Sequence, residues 1–274
     1  MKNVKLIALD LDGTTFNSRK EISSRTKQVI ADAISHGVCV LPATGRPRSF
    51  LPVELLDIPG IRYAAVSNGS SVVDLTQDKP LYEDLMSAFK IPDVLKKLRD
   101  LPVIIELFFN GSCYADKGHS EKMQSILDAF PDIARFQTPR IFKENLLDQL
   151  ISNPFPLEKI HLLFADLSLR QEILDFYKEE DFWDVTSAFR GNLELTSKTA
   201  KKGNAILKLA QILDIKPEET MAIGDSFNDL DMLNAVGFSV AMGNAEPEVK
   251  EIADFITKSN DEDGVAYAIE KFAF

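Results

Sequence analysis

Two aspartates one residue apart, Asp10 and Asp12, end an apolar run that starts at Val4, and Gly13 follows them. A short run of this kind reads as a buried strand of a parallel sheet that opens into a turn at its carboxyl end. Ligand sites in open α/β sheets lie at those ends. Two acids there can divide labour, one attacking an electrophile and the other moving protons. A calcium loop starting at Asp10 would need glycine at its sixth position for the sharp turn, and that residue is Thr15. Other polar motifs follow other apolar runs: Ala43-Thr44-Gly45-Arg46, Asn68-Gly69, Gly224-Asp225-Ser226-Phe227-Asn228-Asp229 and Gly243-Asn244. Lys201-Lys202-Gly203 opens a helix-like segment. Singly, each has an ordinary explanation. Thr44 to Arg46 could be a turn, Lys202 a solvated charge, and Asp225 with Asp229 a helix cap. Taken together, they bring a hydroxyl, a lysine and several acids to one crevice. That set suits phosphoryl transfer through a covalent intermediate. One carboxylate takes the phosphoryl group, and a second acid protonates the leaving oxygen and later activates water. A lysine and a hydroxyl hold the remaining oxygens. Mg²⁺ fits, because it takes hard oxygen ligands and keeps several waters, so two aspartates and a carbonyl suffice.

The elements that must hold these residues alternate. Ser23 or Ser24 can cap a helix carrying Val29, Ile30, Ala33 and Ile34 on one side, and Gly37 can end it. Val38 to Leu41 is then a second buried strand, and Ala64 to Ser67 a third, closed by Asn68-Gly69. Towards the other end, Gly203 to Leu213 reads as helix, Thr220 to Ile223 as strand, Leu230 to Val236 as helix and Phe238 to Ala241 as strand. Ile252 to Ile256 makes a last strand and Val265 to Phe272 a closing helix. This order predicts an α/β fold with a doubly wound parallel sheet. The middle differs. Val103 to Phe109, Lys159 to Phe164 and Leu193 to Leu195 read as strands, with helices at Ile91 to Arg99, Glu121 to Phe130 and Leu169 to Glu179. This stretch lacks the strand-end motifs, so it reads as a separate α+β module inserted into the first domain. The expected division is 1–83 with 197–274 as the core, and 84–196 as the insert.

The composition, 45% hydrophobic and 27% charged, is that of an ordinary globular chain. The net charge of −11 argues against a nucleic-acid surface or an anionic membrane patch. An anionic substrate therefore needs local positive charge or a metal. Cys39 and Cys113 read as buried thiols of a reducing compartment. His36, His119 and His161 form no zinc-like spacing with them. No stretch approaches the ~20 apolar residues of a membrane span. The first strand begins too early to leave room for a signal peptide, so the cytoplasm is the expected compartment.

At this point the chain resembles the haloacid dehalogenase-like hydrolases, most closely their Cof-type phosphatases. Asp10-Leu11-Asp12-Gly13-Thr14 is similar to that family's first motif, Thr44 in Ala-Thr-Gly-Arg to its second, and Lys202 before Gly203 to its third. Gly224-Asp225-Ser226-Phe227-Asn228-Asp229 is similar to the fourth. Val240 to Ala245 and Asn260 to Ala266 resemble its C-terminal pattern. Thr15 departs from the leucine more usual there. The resemblance implies a Rossmann-like core with an α+β cap inserted between the second and third motifs, and implies roles. Asp10 would be nucleophile and metal ligand. Asp12 would be general acid/base and would bind Mg²⁺ through its carbonyl. Thr44 and Lys202 would bind phosphate, and Asp225 would ligate the metal. Asp229 would support the metal directly or through water, and Asn228 would orient Lys202 or the phosphate. Arg46 and Asn68 would line the pocket. Lys202 rather than Lys201 is chosen because it directly precedes the glycine. Cap residues would set specificity, with Glu106, Asn110, His161 and Arg190 as candidates.

The expected activity is a Mg²⁺-dependent phosphatase of small phosphorylated metabolites, sugar phosphates first. Phosphorylated cofactors such as pyridoxal phosphate or a flavin precursor come next. A phosphomutase and a non-catalytic sensor of phosphorylated metabolites are the rivals. The expected partner is the metabolite, with no nucleic acid or membrane, and the chain is expected to be a monomer or weak homodimer.

Overall fold

A computed structural model of the chain describes residues 3–119, 128, 139–187 and 189–273. The chain forms two compact units, one of Met1–Gly45, Leu51–Glu83 and Lys201–Phe274, the other of Arg46–Phe50 and Asp84–Ala200.

In the first unit, the opening apolar run forms β1 (Leu6–Leu9), and all four residues are buried. Helix α1 (Ser24–Ser35) follows. Ser23 caps it, its hydroxyl accepting from the Thr26 amide at 3.0 Å, and Val29, Ile30 and Ala33 form its buried side. Then come β2 (Cys39–Pro42), the short α2 (Val53–Leu56), β3 (Tyr63–Val66), β4 (Ser71–Asp74) and β5 (Lys79–Glu83).

The second unit holds α3 (Ile91–Leu98), β6 (Val103–Phe109), β7 (Ser112–Asp116), β8 (Arg140–Lys143), α4 (Leu146–Ser152), β9 (Lys159–Phe164), α5 (Leu167–Lys178), β10 (Trp183–Thr186) and β11 (Asn192–Ser197). Its strands form one sheet in the order β10-β11-β9-β6-β7-β8. Val103, Ile105, Leu107 and Phe109 of β6 join Leu95, Leu150 and Ile173 of the helices in one apolar core. The alternate positions of β6 point to the other face, and there charge is buried in pairs. Glu106 receives Arg140 Nε and the Nδ1 of His161, the latter at 2.8 Å, and Lys159 Nζ meets Glu194 at 2.8 Å. The predicted helix from Glu121 to Phe130 lies outside the described residues.

The chain returns to the first unit as α6 (Lys202–Ile212), β12 (Thr220–Gly224), α7 (Leu230–Ala235), β13 (Phe238–Ala241), α8 (Pro247–Ile252), β14 (Phe255–Ile256) and α9 (Gly264–Phe272). Its main sheet has the order β14-β13-β12-β1-β2 and is parallel throughout. This is the expected doubly wound α/β sheet. Two elements differ from expectation. Ala64 to Ser67 is not a simple third member of that sheet. Tyr63–Val66 pairs antiparallel with β4, which pairs with β5, and β3 meets the end of β2 through a parallel bridge between Ala43 and Ala65. The cause is local: Ser67, Asn68 and Gly69 all have positive φ, which reverses the chain at once. Near the C-terminus, Ile252 ends a helix rather than beginning a strand. Pro247 sits in that helix's first turn, where its missing N–H costs nothing.

Among the described residues no helix is long and apolar enough to cross a membrane.

Candidate active site

The parallel register sets the site. Leu9 lies between Pro42 of β2 and Ile223 of β12. The residues after them, Asp10, the Ala43-Thr44 pair and Gly224-Asp225, therefore leave three adjacent strands at their carboxyl ends. Backbone bonds continue the register past the strands. Asp10 N donates to Ile223 O at 3.0 Å, and Ala43 N donates to Leu9 O at 2.8 Å.

Asp10 is buried, and its Oδ1 accepts from Lys202 Nζ at 2.6 Å. Lys202, 1% exposed, also donates to Asp229 Oδ1 at 2.6 Å. One ammonium thus bridges two buried carboxylates. Asp229 spends its other oxygen on the loop: Oδ2 accepts from Asp225 N at 3.0 Å and Ser226 N at 3.1 Å. Thr14 Oγ1 donates to Asp225 Oδ1 at 2.7 Å. Carboxylate oxygens of Asp10, Asp225 and Asp229 lie within 4.8 Å of one another. Asp12 is half-buried and pairs with Lys20 Nζ at 3.0 Å.

The electrostatics follow from burial and crowding. Burial, and then the Asp229 charge, push Asp10 well above the usual carboxylate range, against the pull of Lys202. Burial likewise lifts Asp225 to about 6, opposed by the Thr14 hydrogen bond and reinforced by Asp229. Burial disfavours the Lys202 ammonium, but Asp10 and Asp229 outweigh it and hold the amine protonated well above its ordinary value. Three acids around one lysine leave an excess of negative charge in a desolvated place. Hard oxygen donors so arranged fit a small divalent cation such as Mg²⁺.

Glycines allow the close approach. Gly13 has φ +90°, and a Cβ there would stand 2.3 Å from Asp225 Oδ2. Gly69, at φ +91°, lies under the chain entering α6, where a Cβ would meet Lys201 O at 2.3 Å. The Asn68-Gly69 turn thus seats the loop that delivers Lys202.

The other predicted residues divide. Thr44 is buried at the end of β2, with its amide bonded to Ala65 O and its carbonyl to Asn68 N. Asn68 is left-handed and stands against Gly45. Arg46 clusters with the second unit and lies over the Phe50 ring at 5.1 Å. The Asn228 carbonyl oxygen accepts from Ser226 Oγ at 2.6 Å, and the side chain that meets the Lys202 ammonium from this loop is that of Asp229. Asn110 forms the β6–β7 turn with Gly111, both at positive φ, which explains its residue type without a ligand. Glu106 and His161 belong to the paired face of the second sheet. Arg190 lies in the turn before β11.

Several supporting residues escaped the sequence reading. Thr14 holds Asp225, and Asp231 accepts from the Gly203 amide at 2.7 Å. Asn244 Nδ2 bonds Gly13 O at 2.8 Å, and Asn260 Nδ2 bonds Phe16 O at 2.9 Å, so the C-terminal loops brace the first motif. For Thr14, Asn244 and Asn260 the signal was their place in the quoted motifs, and Asp231 lay outside them.

The model of the haloacid dehalogenase-like hydrolase family matches residues 7–269. The chain is 32% identical to the phosphatase YwpJ of Bacillus subtilis (strain 168), covering 97% of this chain and 99% of the relative. It is 30% identical to the 5-amino-6-(5-phospho-D-ribitylamino)uracil phosphatase YwtE of the same organism, covering 98% of each. A solved haloacid dehalogenase-like hydrolase from B. subtilis superposes with a TM-score of 0.82 at 28% identity, covering 97% of this chain and 99% of that one. The motifs at the strand ends and a family match over nearly the whole length agree: this chain belongs to the haloacid dehalogenase-like hydrolases.

Proposed function

We propose that this protein is a Mg²⁺-dependent phosphatase of small phosphorylated metabolites, working through an aspartyl phosphate on Asp10. The observation that carries this reading is the Asp10–Lys202–Asp229 bridge, a buried carboxylate held by an ammonium with Asp225 beside it. Asp10 attacks phosphorus. Asp12 gives a proton to the departing alcohol, then takes one from the water that cleaves the acyl phosphate. Lys202, with Thr44, binds the phosphoryl oxygens. Asp229 keeps Lys202 in place. Asp10 and Asp225, with the Asp12 carbonyl, would hold Mg²⁺, which when bound neutralises charge on the nucleophile and the phosphoryl group. Asp229 has both oxygens engaged, which favours a supporting role over direct ligation.

The substrate class we favour is the phosphate ester of a polyhydroxylated chain, sugar phosphates first. The relative YwtE supports a second reading, a phosphorylated ribityl precursor of a flavin. The second unit is assigned the choice among such substrates. The inferred compartment is the cytoplasm, and the inferred form a monomer or weak homodimer. The test is release of inorganic phosphate from a panel of sugar phosphates, pyridoxal phosphate, a ribityl phosphate and an aryl phosphate, with Mg²⁺ and with EDTA. Release that needs Mg²⁺ supports the reading. Isomerised substrate without free phosphate would make the protein a mutase, and no turnover of any ester would leave a sensor.

A further inference from the structure

Lys202 is the first residue of α6, so its side chain can be only as well placed as that helix end. The end has no cap of its own. Lys201 stands at the capping position and its side chain accepts no backbone hydrogen bond. The missing acceptor comes from another helix: Asp231 of α7 takes the Gly203 N–H on its Oδ2 at 2.7 Å. Asp231 is two residues beyond Asp229, which holds the ammonium of Lys202. One short segment, 229–231, therefore grips Lys202 twice. Asp229 holds its charged tip, and Asp231 holds the backbone just after it. The two helices are pressed together at this point. A Cβ on Gly203 would stand 2.7 Å from Asp231 O and 2.8 Å from Ala235 Cβ. Glycine at 203 thus serves the packing that brings the Asp231 carboxylate to the amide.

We propose that Asp231 is a positioning residue for phosphate binding, a cap supplied in trans that fixes the start of α6 and so the reach of Lys202. The proposal rests on the phosphatase reading for its kinetic readout, but not for its binding readout. A carboxylate at a helix N-terminus satisfies an orphan N–H and favours the helix dipole. Here the same bond also sets a side chain that must meet both Asp10 and the phosphoryl oxygens. Small displacements of such a group cost far more in rate than in stability.

The experiment compares Asp231→Ala, Asp231→Asn and wild type, with Ile206→Val on the same helix as a stability control. The readouts are kcat and KM on several phosphomonoesters, the inhibition constant of inorganic phosphate, its Kd by calorimetry, and thermal melting. Asp231→Ala should lower kcat/KM by about tenfold to a hundredfold for every ester alike, and weaken inorganic phosphate by about tenfold. Asp231→Asn still offers an acceptor oxygen to Gly203 and should stay within about threefold of wild type. Ile206→Val should lower melting without moving the phosphate constants. If Asp231→Ala does not fold, Asp231→Ser, whose shorter oxygen falls away from the amide, takes its place. Phosphate constants within about twofold of wild type in the Ala or Ser variant, or an Asn variant as impaired as Ala, would overturn the proposal. A wild type that releases no phosphate would overturn the phosphatase reading instead, and the Kd comparison would still decide the role of Asp231.

Discussion

Lys202→Met tests whether one ammonium holds the buried acids together. The substitution keeps length and apolar bulk but removes two hydrogen bonds of 2.6 Å, to Asp10 and Asp229. Both carboxylates are buried and each is the other's nearby like charge. Breaking a buried pair by deleting one partner costs about 3–5 kcal/mol. At about 2–4 °C per kcal/mol for a domain of this size, the first unit should melt about 6–20 °C lower at pH 7 in EDTA. The pH dependence has a definite sign. A carboxylate whose folded pKa is raised favours folding most below its unfolded value, near 4, and that advantage is lost as pH rises towards the raised one. Removing Lys202 lifts Asp10 further, so the gap between variant and wild type should grow from pH 5 to pH 7. Saturating Mg²⁺ supplies a replacement cation and should narrow it. The assay is thermal denaturation of both proteins at the two pH values, with EDTA and with Mg²⁺. Melting within about 2 °C of wild type at pH 7 in EDTA, under 1 kcal/mol, would show that Lys202 does not balance the acids.

Asp10→Asn should cut kcat by far more than tenfold, because the amide cannot take the phosphoryl group, yet melt no lower than wild type in EDTA, since one crowded buried charge is gone; phosphate release and melting together check both halves. Burial lifts Asp225 to about 6, so below that pH a proton competes with the metal. The rise in melting temperature produced by Mg²⁺ should therefore be larger at pH 7.5 than at pH 5, and equal rises would contradict the assignment of Asp225 as a ligand. Gly13→Ala places a methyl 2.3 Å from Asp225 Oδ2 at φ +90°, so it should destabilise by about 1–2 kcal/mol and weaken Mg²⁺ binding measured by titration. Metal affinity equal to wild type would mean that the first-motif turn does not shape the site.

Much of the core could be read from the chain because its signals are local. Leu6–Leu9 is a continuous apolar run, and Phe238–Ala241 and Val103–Phe109 have the predicted ends, since each is buried along its length and apolar but for one residue, Ser239 or Glu106, so the run itself marks the strand. The hairpin partners of β3 were not legible. Ser71–Asp74 is fully buried but short and polar at both ends, and Lys79–Glu83 is largely exposed, so neither shows a clear period. Arg46 was read with the first domain because it follows Thr44 in sequence, whereas its contacts lie with the second unit.

At the site, residue types and spacing singled out the acid pair, the two lysines before a glycine and the second acid cluster, because such chemistry has few residue solutions and each sits next to a strand end or helix start; the family resemblance chose Lys202 between the lysines. Partnership was decided only by the tertiary structure. Asn228 and Asp229 are adjacent in sequence, yet Asp229 grips Lys202 while Asn228 turns to Ser226. Asp231 looks like any acid in a first helical turn until α6 is packed against it. Lys202 and Asp10 are far apart in the chain and meet only because α6 begins beside the carboxyl end of β1, its entry seated against Gly69. A sequence records which groups are present. Which of them share a proton, a charge or an amide depends on distances of about 3 Å, and those exist only once the strands are in register.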